Sequence, residues 1–132
     1  MIGLDTNLLV RYLAQDDPQQ SALAVKLIEG SCSEKKPAFI NHIVLCETAW
    51  VLERCYDVDK DMFAVILEKM LKTEQFSVHK IEMVWRALRE LKKTGADFAD
   101  CLLGQINLVN GCEHTVTFDK KASAGIGYRL LG

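Results

Sequence analysis

The apolar residues of this chain follow two different spacings along the sequence. In six segments they recur every three or four residues, as on the buried face of a helix. Short apolar or β-branched runs separate these segments and predict strands. The predicted helices cover residues 7–14, 18–29, 43–54, 61–73, 81–93 and 98–109, and the predicted strands cover residues 1–4, 38–40, 75–78, 114–118 and 128–131. Because helices and strands alternate, the pattern predicts an α/β sandwich with a largely parallel sheet of about five short strands.

Polar residues and glycines mark where several helices begin and end. Asp17, Pro18 and Gln20 have the order of an N-cap, a first helical residue and an N3 residue, so a helix is expected to begin at Pro18. Gly30 is expected to end that helix. The other candidate N-caps are Thr6 or Asn7, Asn41 or His42, and Asp97.

Composition predicts one folded domain over residues 1–132. The chain is 49% hydrophobic, which is enough for a packed core, and its 26% of charged residues is ordinary for a globular protein. No internal repeat, low-complexity segment or linker interrupts it. These values exclude disordered, collagen-like and membrane-spanning classes.

The cysteines and the first residues predict a cytoplasmic protein. The five cysteines are odd in number and form no Cys-x-x-Cys pair, which argues against a disulfide framework and a zinc knuckle. The first predicted strand begins at residue 1, which leaves no room for a signal peptide. The net charge of −2 does not by itself favour a nucleic-acid partner. Three basic stretches could form a local basic face or only a solvated surface: 35–36, 86–93 and 120–121.

Four widely spaced acids, each within apolar sequence, carry the candidate chemistry. Asp5 directly follows the first strand and Asp119 directly follows the strand at 114–118. If both strands are central and parallel, these acids share the edge of the sheet where α/β proteins bind ligands. Glu47 lies on an apolar stripe of its helix and is expected to point toward the protein. Asp100 is expected in the first turn of its helix, where the dipole favours a carboxylate.

Four clustered carboxylates predict a divalent cation. Like charges raise one another's pKa values, and a bound Mg²⁺ or Mn²⁺ would relieve that repulsion. Such an ion also lowers the pKa of a bound water and neutralises charge on a phosphate. The acids therefore favour metal-dependent hydrolysis of a phosphodiester.

The order of the motifs resembles the PIN-domain family, and within it the VapC-type toxins of bacterial toxin–antitoxin pairs. The resemblance covers residues 1–119, and residues 55–95 carry no motif of the family. It rests on Asp5-Thr6-Asn7, Glu47 ahead of Trp50-Val51-Leu52, Asp97-Phe98-Ala99-Asp100-Cys101-Leu102, and Thr117-Phe118-Asp119. It implies a three-layer α/β/α fold and a metal-dependent ribonuclease that cuts transfer RNA or ribosomal RNA. It also implies a cognate antitoxin protein and a homodimer.

The resemblance also implies roles for individual residues. Asp5 and Asp100 would be the main metal ligands, and Glu47 and Asp119 would complete the acidic pocket, directly or through water. The residues that would orient these carboxylates by hydrogen bonds are Asn7 and Thr117. Asp97 stays open between two roles, a helix cap and a fifth acid of the site.

Each acid also has a purely structural alternative. Asp5 could cap the first helix, and Asp119 could be a turn residue. Glu47 could form an ion pair with Arg11 or Arg54.

Aromatic residues and histidines are expected outside the chemistry. The aromatic residues at helical core spacing are expected in the core or a dimer interface rather than stacked on bases: Tyr12, Trp50 and Trp85. The three histidines are far apart in the sequence, share no spacing typical of metal ligands and are expected on the surface or in loops: His42, His79 and His114.

The sequence leaves two alternative functions open. One is a housekeeping PIN nuclease that processes ribosomal RNA, and the other is a non-catalytic PIN-like domain that binds RNA or a protein. Metal binding in the acidic pocket separates the second alternative from a nuclease. A neighbouring antitoxin gene separates the first alternative from a toxin.

Overall fold

Helices and short strands alternate along all 132 residues, which the structure, a computed structural model, describes throughout. The helices are α1 (Thr6–Ala14), α2 (Pro18–Val25), α3 (His42–Tyr56), α4 (Lys60–Leu71), α5 (Ile81–Thr94) and α6 (Phe98–Val109). The strands are β1 (Ile2–Gly3), β2 (Ala38–Ile40), β3 (Phe76–Val78), β4 (Thr115–Thr117) and β5 (Tyr128–Leu130). A π-helical turn (Lys26–Ser31) follows α2, and a 3₁₀ turn (Ala122–Ala124) precedes β5.

Contacts divide the chain into two compact units. The first unit comprises Met1–Asp59 and Glu68–His79, and the second comprises Lys60–Leu67 and Lys80–Gly132. A single domain over residues 1–132 stays a prediction.

The first unit is built on a three-stranded parallel sheet with β2 in the centre. Gly3 pairs with Phe39, and Ile40 pairs with Val78. Ala38 and Ile40 are fully buried, as expected for a central strand that is covered by helices. Since the strands are parallel, the residues that follow them lie at one edge of the sheet.

The second unit contains a two-stranded parallel sheet and the pair of helices α5 and α6. Thr117 of β4 pairs with Leu130 of β5. Val84 and Leu88 of α5 and Leu102 of α6 are buried. The ring of Phe98, at the start of α6, lies 5.4 Å from the ring of Phe63.

The α/β class and the parallel strand direction predicted from the sequence are confirmed. The bounds of α6 agree with the prediction at both ends. Asp17 and Asn41 cap α2 and α3, and each accepts a hydrogen bond of 2.9 Å from a main-chain N–H of the first helical turn. The pairing of the strands differs from a single central sheet, because the hydrogen bonds join three strands in one sheet and two in another.

Two predicted helix boundaries are wrong. Gly30 does not end its helix, because the chain continues through it in the π-helical turn, and Gly30 does not adopt the positive φ of a helix-ending glycine. The cap of α1 is Asp5, rather than Thr6 or Asn7. Thr6 is engaged elsewhere, because its hydroxyl donates to Glu47.

None of the helices combines the length and the apolar run that a membrane crossing requires.

Candidate active site

The first unit carries two of the predicted acids, Asp5 and Glu47, here called the amino-terminal acid pair. Asp5 follows β1, and its Oδ1 accepts a hydrogen bond of 2.9 Å from the main-chain N–H of Leu8. Thr6, the next residue, donates its hydroxyl hydrogen to Oε1 of Glu47 on α3 over 2.7 Å. A turn of α1 is therefore tied to a turn of α3 through a hydroxyl group. The cap uses only Oδ1 of Asp5, so Oδ2 is available to a ligand.

Glu47 does not point into the protein, contrary to the expectation from its helical spacing. It is exposed, as are Ile43 and Trp50 on the same face of α3, with Trp50 exposed by 55%. The buried face of α3 is the other apolar stripe, which contains Val44, Leu45, Thr48 and Leu52. Trp50 is consequently not a core residue, and the dimer interface is what remains of its predicted role.

The structural ion pair considered for Glu47 is wrong. The guanidinium of Arg11 lies 3.3 Å from the carboxylate of Asp16. The guanidinium of Arg54 lies over the ring of Trp50, 4.6 Å from its centroid. The partner that Glu47 has in the structure is the neutral hydroxyl of Thr6.

Asn7 lies beside Asp5 but does not orient its carboxylate, because no hydrogen bond joins the two side chains. Both residues line a cavity of about 310 Å³ in the first unit. The rest of its lining is partly polar and partly aliphatic: Leu8, Arg11, Gln20, Leu23, Ala24 and Leu27.

The second unit carries Asp97, Asp100 and Asp119, here called the carboxy-terminal acid group. Asp97 occupies the N-cap position of α6, yet its side chain makes no capping hydrogen bond. Its carboxylate lies 3.2 Å from Nζ of Lys60 instead. Asp100 is half-buried in the first turn of α6.

Asp119 follows β4 and holds a tight turn. Its Oδ1 accepts hydrogen bonds from the main-chain N–H groups of Lys121, over 2.8 Å, and Ala122, over 3.4 Å. Its own main-chain N–H donates to the hydroxyl of Thr117 over 3.0 Å. Thr117 therefore fixes the main chain of Asp119 and not its carboxylate. The structural alternatives for Asp5 and Asp119, a cap and a turn, are both present, and each leaves a second carboxylate oxygen outside these bonds.

The surroundings of Asp100 shift the pKa of its carboxyl group. Burial raises the pKa of its carboxyl group, and the charges of Asp97 and Asp119 raise that pKa further. Lys60 acts in the opposite direction and lowers it. The charges of Asp97 and Asp119 are therefore close enough to Asp100 to act on its carboxyl group.

The chemistry of these side chains suits a hard cation. Carboxylate oxygens are the ligands that Mg²⁺ and Mn²⁺ prefer, and mutual repulsion at Asp100 is what a bound cation relieves. The carboxylates do not form a preorganised metal site. No set of three or more His, Cys, Asp or Glu side chains has an arrangement able to hold a metal ion. The fit to a divalent cation thus rests on the donor atoms and their charge.

A buried layer behind Asp100 was not expected from the sequence. The hydroxyl of Tyr128 donates to the main-chain oxygen of Asp100 over 2.7 Å. Burial, and after it the charges of Asp100, Glu90 and Cys101, raise the pKa of Tyr128 to about 12, so this hydroxyl stays a donor at neutral pH. The ring of Tyr128 approaches α6 at Gly104, where an added Cβ would lie 2.9 Å from a ring carbon.

Glu90 belongs to this layer and is the residue that sequence reasoning missed. It is only 2% exposed, and its Oε1 accepts a hydrogen bond of 3.3 Å from Gln105. Its Oε2 has no hydrogen-bond partner. The basic stretch around it suggested a solvated surface. The available signal was its position seven residues after Met83, two turns along the buried face of α5.

Two histidines that are far apart in the sequence lie together in the structure. The rings of His42 and His79 are 5.0 Å apart, and Nε2 of His42 lies 2.6 Å from the main-chain oxygen of His79. His42 comes just after β2 and His79 just after β3, so the parallel register brings both to one edge of the sheet.

Comparison with known proteins identifies the family. The model of the PIN domain family matches residues 2–124. A search of curated proteins finds no match to this chain. Since the family match covers almost the whole sequence, the chain belongs to the PIN domain family, whose members are generally metal-dependent nucleases.

Proposed function

We propose that this PIN domain is a Mg²⁺- or Mn²⁺-dependent endoribonuclease that hydrolyses phosphodiester bonds in structured RNA, such as transfer RNA or ribosomal RNA. The observation that carries the proposal is the raised pKa of Asp100 beside Asp97 and Asp119. Two other acids of the same unit act on Asp100, and carboxylates with perturbed pKa values concentrate at functional sites.

The proposed catalytic residues and metal ligands are the four acids Asp5, Glu47, Asp100 and Asp119. A bound divalent cation would lower the pKa of a water molecule bound to it and would neutralise charge on the scissile phosphate. The hydroxyl of Thr6 holds one oxygen of Glu47, and the hydroxyl of Tyr128 holds the main chain at Asp100. These bonds limit the movement of two of the acids, and such restraint of ligands is what metal sites use to fix their geometry.

The cysteine next to Asp100 is not proposed as a nucleophile. Cys101 follows Asp100 directly but is fully buried, and burial strongly raises the pKa of its thiol, so it is not a thiolate nucleophile. Neither acid group has a histidine among the hydrogen-bonded or charged neighbours described above. We therefore assign the attack on the phosphate to a water molecule rather than to a side chain of the protein.

The proposed biological role is that of a toxin in a VapBC-type pair, in the cytoplasm. The order of the motifs from Asp5-Thr6-Asn7 to Thr117-Phe118-Asp119 supports it. A VapB-like antitoxin would place a basic side chain against the acids and hold the toxin inactive. A homodimer is also proposed, and the exposed Ile43 and Trp50 on α3 are the kind of apolar surface that a second copy covers.

The test is cleavage of total transfer RNA by the purified chain in Mn²⁺, in EDTA and with the Asp100→Asn variant. Defined fragments that appear with Mn²⁺ and vanish in both controls support the proposal. Glu113→Gln is a matched control, because it removes an exposed acid of the same unit and should leave cleavage unchanged. Equal cleavage by Asp100→Asn and the unaltered chain would remove Asp100 from the site.

The alternative functions have separate outcomes. Metal binding without cleavage of transfer RNA, followed by cleavage of ribosomal RNA, favours a processing nuclease. RNA binding that needs neither metal nor Asp100 favours a non-catalytic PIN-like domain.

A further inference from the structure

The carboxy-terminal acid group is in contact with a positively charged side chain of the protein, that of Lys60. Nζ of Lys60 lies 3.2 Å from Oδ1 of Asp97 and also donates to the main-chain oxygen of Gly95. Asp97 and Asp100 are three residues apart in sequence, and Lys60 lies far from both along the chain. The ion pair is therefore a product of the fold and not of local sequence.

The position of Lys60 is unfavourable for its own helix. It is the first residue of α4, where the helix dipole repels a positive charge. Asp97 likewise occupies an N-cap position without making the capping hydrogen bond that an aspartate usually makes there. Neither side chain makes a favourable interaction with its own helix terminus, and the two form an ion pair with each other instead.

The charges around Lys60 favour a role beyond a simple surface ion pair. Its ammonium pairs with Asp97 at the N-cap of α6, and Asp100 lies three residues further on, on the same side of the first turn of that helix. One ammonium thus offsets part of the negative charge of the acid group. Its side chain is 45% exposed and that of Asp97 is 56% exposed, so the pair can open without unpacking the core.

We propose that Lys60 is a built-in counter-ion of the acid group, which holds the carboxylate of Asp97 until a divalent cation binds and then releases it. The inference rests on the proposed function, since it requires that this group takes up a cation. Lys60 is a positioning residue in this account and does not touch the substrate. Its consequence is that the acid group stays partly neutralised in the absence of metal, and that metal has to compete with an internal ammonium.

Mn²⁺ affinity tests this competition directly. Free Mn²⁺ is counted by electron paramagnetic resonance during titration of the full chain and of Lys60→Met, Lys60→Gln, Lys60→Arg and Lys69→Met. Removing one positive charge a few ångströms from the site should tighten Mn²⁺ binding by about 5- to 10-fold in the Met and Gln variants. The Arg variant keeps the charge and should bind Mn²⁺ as the unaltered chain does. Lys69, an exposed lysine in the last turn of α4, is the matched control.

Chemical labelling tests the release itself. Lysine amines are acetylated with a limiting dose of reagent, with and without Mg²⁺, and modification is measured by peptide mass spectrometry. An ion-paired ammonium reacts slowly, so labelling of Lys60 should rise several-fold when Mg²⁺ is present, while labelling of Lys69 stays constant.

The possible results separate this inference from the proposed function. Metal binding of equal affinity in all variants, with constant labelling of Lys60, means a merely structural ion pair and overturns the inference while the metal-dependent nuclease stands. Weaker Mn²⁺ binding in Lys60→Met overturns it too. If no variant binds Mn²⁺ at all, the metal role in the proposed function fails together with the inference.

Discussion

The two acid groups of this chain are organised by different forces. The amino-terminal pair, Asp5 and Glu47, is exposed and is held by neutral donors, a main-chain N–H and the hydroxyl of Thr6. In the carboxy-terminal group Asp100 is half-buried near two like charges, and an ammonium pairs with its neighbour Asp97. In the first group hydrogen bonds from neutral donors fix the positions of the carboxylates with little electrostatic repulsion. In the second group like charges act on Asp100, and a bound cation would reduce that repulsion. Variants that remove a charge and variants that remove a hydrogen bond should therefore act differently in the two groups.

The largest effect is expected for Asp100→Asn. Loss of this charge should reduce cleavage by about 10²- to 10³-fold, the usual cost of removing a group that fixes charge at a reacting phosphate. The fold should be retained, and the melting temperature in EDTA should rise at neutral pH because repulsion is relieved. Activity and melting are measured on the same preparation. A melting temperature that falls in EDTA would show that the carboxyl group stabilises the fold and would break the contrast between the two groups.

Replacing Glu90 by alanine should have the largest effect on stability. The variant leaves the buried side chain of Gln105 without its partner and opens space on α5, so the free energy of unfolding should fall by about 2 kcal/mol. Urea unfolding measures the change. Arg89→Ala, at the exposed neighbouring position, is the control and should change stability by less than about 0.5 kcal/mol.

Thr6→Val should affect the amino-terminal pair with little loss of stability. The hydroxyl that holds Glu47 is lost, and cleavage should fall by about 10-fold, as when a group that orients a metal ligand is removed. Thr6→Ser keeps the hydroxyl and should retain most of the activity. Equal activity of the Val and Ser variants would mean that the hydrogen bond has no part in the reaction.

A smaller effect is expected in the pH dependence of stability without metal. The pKa of Asp100 is raised above its usual value of 3.8. Below that value the group is protonated in both the folded and the unfolded chain and has no net effect. As pH rises through the raised pKa, the folded state is penalised, so the unaltered chain should become less stable relative to Asp100→Asn. Melting of both proteins in EDTA from acid to neutral pH measures this difference, which should vanish at the acid end.

The parts of the fold that depend on local sequence were predictable. The bounds of α6 follow from its apolar spacing, and the caps at Asp17 and Asn41 follow from the chemistry of the first helical turn. The exposure of Glu47 was not predictable, because α3 is apolar on two faces and periodicity cannot tell which one is buried. The exact pairing of the strands was also beyond prediction, since each has only two or three residues.

The residues of the candidate site can be proposed from the sequence, and their role stays a prediction, whereas the contacts among them could not be predicted. The positions and order of Asp5, Glu47, Asp100 and Asp119 are visible in the sequence. The bond between Thr6 and Glu47 and the ion pair between Lys60 and Asp97 join residues far apart in the chain, and only the packing of helices brings them together. The pairing of His42 with His79 likewise required the register of β2 and β3.

Gly104 gives the second unit an unusual mutational profile. A glycine inside a helix costs about 1 kcal/mol relative to alanine, yet here the missing methyl group is what lets the ring of Tyr128 lie against α6 and its hydroxyl reach Asp100. A genetic selection for inactive variants should therefore recover substitutions at Gly104 as well as substitutions at the acids. Along α6, the positions that do not tolerate larger side chains would then be those against which the ring of Tyr128 packs.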